Sequence, residues 1–552
     1  MITIQAGNYS NFVGAHFFNL QNPETQHNES STDAALSTPL SLWREVGRTS
    51  SQSPPSFSPR LLVIDTKENV ALNRGSGSKP TTVAASKHQQ NISLWGGKVE
   101  LMGEESDEDE QPSTAAAKSV FDNPSPLPTD YSRWGDFATW KLSPNNIHLL
   151  PNFSHNPETG QLDSYGQGME VWKSLEVDVE EGIRRFAEEC DRLEGFNIFV
   201  DQLNGYSGLA GGLLQHVSDE YEKKVCLGIG FCPPTLTNVH DDASAGRAFR
   251  TRMTNSTLLY NAFNSYSTVF TSLGLCQDFC AQRIVPVVLP YLSFKAESFY
   301  ESSAILAVAL DTLLSPCLST IPSSTSSISL QELASFLSAM GRKMTTISTS
   351  FPFPLDCKKS SLFSILNSSG MDYVRGLTPG VSPDFESSNG NFFSARGIPE
   401  TAVLFEDERK GLIGYQRQIS NAQSCLDLFT KESFSKSVNI VRSSDIPVIV
   451  KHPFPSKVVE EFAKDTFKFG QQYSNGVVSS WSFSSISSAQ NSTKCGDLLN
   501  KVVPSGGHKN NRNRITQTLP SANELGMEVD DFMESVNNLQ TLRSTYNANF
   551  GD

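Results

Sequence analysis

The sequence predicts an α/β fold with a parallel, Rossmann-type sheet in its N-terminal part, a second α/β domain and C-terminal helices. Three observations indicate this fold. Short apolar runs alternate with segments of helical periodicity, a carboxylate ends one of these runs, and a glycine-rich turn separates another run from the helix after it. Stretches poor in apolar residues interrupt the pattern, and we expect them to be disordered inserts.

The first elements are a strand, a helix and a buried strand. Ile2 to Ala6 is a strand-forming run closed by Gly7. The helical spacing that follows is carried by Phe12, His16, Phe17 and Leu20. Arg60 to Ile64 (RLLVI) is a continuous apolar run that ends at Asp65, which is typical of a strand covered on both faces.

A long amphipathic helix comes next and leads into a strand–turn–helix–strand unit. Its apolar stripe consists of Trp172, Leu175, Val179, Ile183, Phe186, Cys190 and Leu193, and Gly195 ends it. The unit contains the strand Phe196 to Leu203, the turn Asn204 to Gly212 (NGYSGLAGG) and the strand Val225 to Phe231. A glycine-rich turn at this place indicates either phosphate binding or close packing of helix on strand.

Composition excludes several classes of protein. The net charge of −15 and the pI of about 5.2 argue against a nucleic-acid binder, because the one basic run, Lys509 to Arg514, is short and rich in Asn. The nine cysteines contain no CxxC pair and predict reduced, mostly buried thiols rather than a zinc site. The opening MITIQAG lacks the features of a secretory signal. The apolar runs Ile284 to Phe294 and Ala304 to Leu314 are too short to span a bilayer, so we expect no transmembrane segment.

The expected inserts are Asn22 to Ser58, Asn73 to Asp130 and Gly470 to Ser521. The second contains Glu104 to Glu110 (EESDEDE), in which Ser106 precedes four acids. This segment predicts either a solvated acidic loop or a phosphorylation site for an acid-directed kinase.

The first two strands and their loops resemble those of tubulin. MITIQAGNYSNFVGAHFFNLQ is similar to the tubulin opening, in which a strand ending IQAG precedes a loop of the form GQCGNQIG, and Gly7, Asn11 and Gly14 match it. SPRLLVIDTKEN resembles tubulin segments of the type PRAILVDLEP. This resemblance places Asp65 at the carboxylate of the second nucleotide loop.

Three later segments extend the resemblance in the same order along the chain. Phe186 to Leu214 aligns without a gap to the tubulin block that contains the signature GGGTGSG. Leu330 to Pro354 resembles the helix that leads into a PFP or PYP turn, and Gly526 to Asn547 resembles the last tubulin helix. The resemblance implies a tubulin/FtsZ-like fold, with a nucleotide-binding-type domain over 1–314, an intermediate domain over 315–450 and a C-terminal helical region over 451–552.

The divergent features resemble one tubulin-related family, Misato. They are the opening AGNYSNFVGAHFFNLQ, the long acidic insert and the later segment SAILAVALDTLLSP. This resemblance implies a cytoplasmic protein, peripherally associated with the mitochondrial outer membrane, that acts in mitochondrial distribution, morphology or fusion. The partners it implies are cytoskeletal or mitochondrial outer-membrane proteins. Tubulin or a chaperonin is a further candidate partner.

The resemblance also implies GTP or GDP as the ligand of an altered site. The candidate contacts are Gly7, Asn8, Asn11, Asp65, Gly205, Ser207 and Gly208. The seven positions of GGGTGSG here read Leu203 to Leu209, and only Gly205 keeps its place. Tyr206 is one of three bulky residues in that loop, and Tyr9 stands where the family has a small Cys under the base. Leu258 replaces the acid that contacts the ribose, and Ser302 replaces an Asn that reads guanine.

The residues that would complete hydrolysis are also altered. The family loop GxxNxD becomes Ser327 to Glu332, which leaves Glu332 as the one catalytic candidate. A surface glutamate in the first turn of a helix is the alternative interpretation of Glu332, and a turn carboxylate is the alternative for Asp65.

These features favour a scaffold with little or no GTP hydrolysis. The alternative is a GTP-binding, self-assembling GTPase. A metabolic enzyme built on the polar trio His240, Asp241 and Asp242 is disfavoured, because a solvated loop explains the trio.

Overall fold

The computed structural model describes residues 1–23, 41–46, 56–70, 130–150, 152–154, 160–234, 242–281, 283–318, 327–355, 359–412, 414–465, 472–474, 477–503 and 526–547. The acidic segment around Ser106, the basic run 509–514 and His240 and Asp241 lie outside these residues.

The N-terminal part is built on one parallel sheet. Its elements are β1 (Ile2–Ala6), α1 (Asn8–Leu20), β2 (Trp43–Glu45), β3 (Phe57–Pro59), β4 (Leu61–Thr66), β5 (Ile147–Leu150), α2 (Tyr165–Glu188), β6 (Gly195–Asp201), α3 (Tyr206–Glu220), β7 (Val225–Cys232), α4 (Asp242–Tyr266) and β8 (Val269–Gly274). Six of the strands form a sheet in the order β5-β4-β1-β6-β7-β8, and every neighbouring pair is parallel. The predicted parallel sheet is therefore confirmed.

Both faces of this sheet are covered, as the apolar runs predict. Along β4, Leu62 and Ile64 pack into a core with α2, α3 and α4, whereas Leu61 and Val63 pack into a second core with α1. This alternation follows from the two-residue period of a strand. Helix α2 begins at a capping box, in which Ser164 and Gln167 satisfy each other's backbone amides, and it ends at Glu188, five residues before the predicted end at Leu193.

A second sheet follows the parallel sheet along the chain. The remaining elements are α5 (Phe299–Leu318), α6 (Leu330–Leu337), β9 (Thr346–Ser350), α7 (Leu362–Ser369), β10 (Arg375–Gly376), β11 (Ser388–Arg396), α8 (Glu406–Gly411), α9 (Ala422–Ser433), β12 (Val438–Ser444), β13 (Val448–Lys451), α10 (Ser456–Asp465), β14 (Gln472–Ser474), β15 (Val477–Phe483), β16 (Ser485–Ser492), α11 (Cys495–Val502) and α12 (Val529–Asn547). The sheet has the order β10-β9-β16-β11-β12, in which only β11 and β12 are parallel. A third core lies between this sheet and the helices α7 and α9.

Helix α5 lies between the two sheets and packs against α1, β11 and β16. By length and composition it could cross a membrane, and it is the one such helix in the ranges given above. However, 89% of its most apolar window is buried inside the protein. Its apolar character is therefore explained by packing on both sides.

Two of the expected inserts contain regular structure. The stretch 22–58 includes β2 and most of β3, which pair with each other, and Trp43 of β2 is buried against Phe18. The stretch 470–521 includes β14, β15, β16 and α11, and all eight residues of β16 are buried in the second sheet. The prediction of disorder is wrong for these parts. Strand β16 is rich in Ser and lacks an apolar run, and its serine hydroxyls instead form hydrogen bonds with neighbouring strands, such as Ser488 with Ser348 at 2.8 Å.

A buried ion pair connects the two sheets through α5. Asp311 of α5 binds Arg396 at the end of β11, and its other carboxylate oxygen accepts a hydrogen bond from Gln21, just after α1, at 2.9 Å. The side chains of Arg396 and Asp311 are only 15% and 6% exposed. Three elements that are distant in sequence therefore meet at one carboxylate.

We expect Asp311→Asn to lower the free energy of unfolding by ~3 kcal/mol, because it leaves the Arg396 charge buried without its partner. Urea denaturation measures this loss. D311L/R396M is expected to recover part of it, since no charge then remains buried. The matched control is Asp407→Asn, which removes a pair whose side chains are 76% and 98% exposed. It is expected to cost less than ~1 kcal/mol. Equal losses in D311N and D407N would contradict a structural role for the buried pair.

Candidate functional site

The carboxyl ends of β4, β1 and β6 meet at one edge of the parallel sheet. Ala6 is aligned with Ile64 on one side and Val200 on the other, so the next residues in each strand, Asp65 and Asp201, flank Gly7. In open α/β sheets this edge is where ligands bind. The predicted juxtaposition of Gly7 and Asp65 is found, and Asp201 joins it.

Asp65 is completely buried and surrounded by hydrogen-bond donors. Its carboxylate accepts five hydrogen bonds, from the Thr66 amide (2.7 Å), Asn11 (2.8 Å), Asn69 (2.9 Å), the Trp134 indole (2.9 Å) and the Tyr206 hydroxyl (3.1 Å). Burial raises the pKa of Asp65, and the hydrogen bonds from Asn69 and Asn11 act in the opposite direction. Both carboxylate oxygens of Asp65 are thus engaged by protein groups.

Asp201 caps helix α1. Its Oδ1 accepts from the Ser10 amide at 2.7 Å, and its Oδ2 accepts from the Tyr9 amide at 3.2 Å. Gly7, which precedes the helix, has φ +114°, and a Cβ there would lie 2.4 Å from the Asp201 Cγ. A glycine is therefore required at this position for two reasons, the backbone conformation and the close approach of a carboxyl group.

The polar groups of the glycine-rich turn that begins α3 form hydrogen bonds with nearby groups of the protein. The Gly205 amide donates to Leu162 O at 2.9 Å, and the Ser207 amide and hydroxyl both donate to Asn204 O, at 3.1 and 2.8 Å. A Cβ on Gly208 would lie 1.9 Å from Tyr165 O. The glycines of this turn thus allow the start of α2 to pack closely against α3, a helix–helix contact rather than the helix–strand packing that the sequence suggested.

Two substitutions that the resemblance places around the base contact each other. Tyr9 is 1% exposed, and its hydroxyl donates to the Ser302 Oγ at 3.2 Å, while its ring packs edge-on against Phe299 with 4.9 Å between ring centroids. Leu258, at the position of the ribose-contacting acid, is also buried. Tyr9 and Phe299 therefore fill this side of the edge, whereas Leu258 belongs to the core on the other face of the sheet.

Asn8 and Asn11 lie in the first turn of α1. The Asn11 amide nitrogen donates to Asp65. Asn8 is 7% exposed, and within the described part of the chain its Oδ1 has no hydrogen-bond partner.

Glu332 is distant from this edge. It lies in the first turn of α6, where its carboxylate accepts from the Ser329 amide at 3.0 Å and the Ser329 hydroxyl at 2.9 Å. The hydrogen bond from the Ser329 amide lowers the pKa of Glu332. Leu330 of the same helix faces Gly195, where an added Cβ would lie 3.1 Å from it. Since Gly195 begins β6, α6 lies at the amino end of the sheet.

The structure thus brings together Gly7, Asn8, Asn11 and Asp65, and it places Glu332 at the opposite end. The turn that contains Gly205, Ser207 and Gly208 reaches this edge through Tyr206, which binds Asp65, and Asn204, which binds Asp201. Sequence reasoning missed Asp201 and Trp134. Asp201 ends an apolar strand in the same way as Asp65, so the rule that identified Asp65 could have found it. No pattern marks Trp134, whose role depends on a fold-back from a distant segment.

Burial raises the pKa of Asp201 to about 7 from 3.8, against the hydrogen bonds from Ser10 and Tyr9. A carboxyl group with a raised folded-state pKa contributes stability that is present below its unfolded pKa and is lost as pH rises through the folded value. We expect the unfolding free energy of the wild type, relative to Asp201→Asn, to fall as pH rises from 3.8 to about 7. Urea denaturation at a series of pH values measures this difference. Parallel pH profiles for the two proteins would contradict a raised pKa of Asp201.

Comparisons with known proteins agree with this architecture. A family model for the Misato Segment II tubulin-like domain matches residues 1–116, and a model for a tubulin domain matches residues 123–318. Protein misato of Drosophila melanogaster is 27% identical over 99% of this chain and 98% of its own length. Protein misato homolog 1 of Homo sapiens is 28% identical over 64% of this chain and 65% of its own length, and protein DML1 of Gibberella zeae is 26% identical over 62% and 65%.

The two family models together cover the parallel sheet and α5. The similarity to the Drosophila protein extends over both sheets. The chain is therefore a tubulin-like protein that is similar to the Misato proteins over nearly its whole length.

Proposed function

We propose that this chain is a cytoplasmic, tubulin-related scaffold with little or no GTP hydrolysis. It acts in mitochondrial distribution, morphology or fusion and associates peripherally with the mitochondrial outer membrane. The observation that carries the first part is that both carboxyl groups at the sheet edge, Asp65 and Asp201, are already engaged by hydrogen-bond donors of the protein. The cellular role rests on the family resemblance.

The hydrogen bonds that Asp65 accepts argue against GTP turnover. A carboxylate that positions a metal–phosphate group must have a lone pair directed at it, but five protein donors surround Asp65. Displacing any of them would leave a buried donor without an acceptor, which costs ~1–3 kcal/mol each. The fit of this edge to a triphosphate is therefore poor.

The aromatic side chains support the same conclusion. Tyr206 stands within the turn that should cradle phosphate, and burial raises its pKa well above the usual value, so it remains protonated and donates to Asp65. Tyr9 fills the side of the edge assigned to the base and is hydrogen-bonded to Ser302. GTP would have to displace both rings from buried positions.

The position of Glu332 does not restore hydrolysis within one molecule. It lies at the opposite end of the sheet, and its carboxylate completes a capping box with Ser329. The competing function, a self-assembling GTPase, would need Glu332 to leave this capping box and reach the edge of a neighbouring molecule.

Purified protein is expected to release no stoichiometric guanine nucleotide on denaturation, because the edge is filled by side chains. GTP at millimolar concentration should leave the melting temperature unchanged. A ligand that binds would raise it, because at about 100 times its Kd it would add ~2.7 kcal/mol of stability. Differential scanning fluorimetry and phosphate release measure these properties, with αβ-tubulin as the positive control. Tight GTP binding with steady turnover would overturn the proposal and favour the GTPase.

The cellular part of the proposal has its own test. In fractionated cells we expect the full chain to sediment with mitochondria. Alkaline carbonate should release it, because 89% of the most apolar window of α5 is buried inside the protein and is not free to cross the membrane. Crosslinking followed by mass spectrometry should then identify cytoskeletal or outer-membrane proteins, tubulin or a chaperonin as neighbours. Exclusive recovery in the soluble fraction would refute peripheral association.

A further inference from the structure

We propose that the loop between β8 and α5 is a membrane-docking element, whose exposed apolar side chains enter the headgroup region of an anionic lipid surface. The segment concerned runs from Arg283 to Lys295. This inference rests on the proposed peripheral association with a membrane and deepens it by naming the segment that makes the contact. Helix α5 does not supply such a contact, because it is buried inside the protein.

Three exposed apolar side chains lie within seven residues of this loop. Val288 is 85% exposed, and Val285 and Tyr291 are 44% and 43% exposed. In the part of the chain that the structure describes, no other stretch of this length has three large apolar side chains so exposed. An isolated surface valine needs no explanation, but a group of apolar side chains indicates an interaction site.

The loop is held in place by the rest of the protein. The Gln277 amide donates to Val285 O at 2.8 Å, so the loop pairs with the segment that leaves β8. The Tyr291 ring packs edge-on against Phe462 of α10, with 5.4 Å between ring centroids. Tyr291 also has φ +65°, a conformation that bulky residues rarely adopt. Side chains presented on a fixed backbone lose little conformational freedom when they bind, which favours docking.

The charges around this loop favour an anionic lipid surface. The whole chain has a net charge of −15, but Phe279 to Ala296 contains no acidic residue, and acids resume only at Asp278 and Glu297. Arg283 and Lys295 are both exposed and flank the apolar segment. Basic residues beside exposed apolar and aromatic side chains are typical of segments that lie in a membrane interface. A second copy of this acidic chain would instead bring like charges together.

Val288→Asp tests the proposal with the purified full chain and lipid vesicles that can be sedimented. The wild type is expected to bind vesicles of phosphatidylcholine mixed with phosphatidylserine. V288D should bind them about tenfold more weakly, because a carboxylate resists transfer out of water. Val288→Trp should bind more tightly, since an indole favours the membrane–water boundary. Both variants should keep the melting temperature of the wild type, because position 288 is on the surface.

The matched control is Val177→Asp. It introduces the same charge at a valine that is 76% exposed on α2, and it should bind vesicles as the wild type does. Arg283→Gln tests the electrostatic part. It should weaken binding to vesicles that contain phosphatidylserine and have little effect with phosphatidylcholine alone.

Three results would overturn the proposal. The first is equal vesicle binding by V288D and the wild type, and the second is an equal loss of binding in V177D. The third is a wild-type dimer that becomes a monomer in V288D, measured by light scattering, because a second copy would then cover the loop.

These outcomes are separable from the proposed function. In fractionated cells, V288D should move from the mitochondrial to the soluble fraction. A wild type that sediments with mitochondria but binds neither kind of vesicle would refute the lipid contact and leave peripheral association, through a protein partner, intact. A wild type found only in the soluble fraction would refute the association on which this inference rests.

Discussion

The alignment of β1 between two parallel neighbours is the constraint on which the rest of the structure depends. Because β4, β1 and β6 run in the same direction and in register, their last residues must meet at one edge. Two carboxyl groups, Asp65 and Asp201, are brought there together with the start of α1. Burying both would be unfavourable without donors. Amides, asparagines, an indole and a phenol supply those donors, and this requirement determines how α1, α3 and the segment around Trp134 pack.

Much of this architecture could be predicted from local patterns. The strands β1 and β4 and the helices α1 and α3 follow from apolar periodicity and from turn residues, and the parallel arrangement follows from their alternation. Packing was harder to predict where it is polar. Strand β16 is buried although it consists largely of Ser, Ala, Gln and Asn, because its hydroxyl and amide groups pair with those of neighbouring strands. A method that counts apolar residues classifies such a segment as disordered.

The candidate site shows the same division. Gly7, Asp65 and Gly205 could be placed at one edge because each belongs to a local pattern at a strand or helix end. The contacts that determine what these residues do come from distant positions, such as Trp134 on Asp65 and Ser302 on Tyr9. Sequence spacing contains no information about such pairs. In the sequence, Tyr9 and Tyr206 look like separate departures from a nucleotide-binding pattern. In the structure, each forms a hydrogen bond within the protein, Tyr9 with Ser302 and Tyr206 with Asp65.

The hydroxyl of Tyr206, which connects α3 to Asp65, has an implication for how such a protein can change over generations. Exchanging this tyrosine for a small residue removes a donor from a buried carboxylate while Tyr9 and Asp201 still fill the rest of the edge. Each single exchange of this kind is therefore destabilising, since it leaves a buried group without its partner and residues in one hydrogen-bonded network do not act additively. The contacts at this edge can therefore be changed without loss of stability only if several side chains are exchanged together.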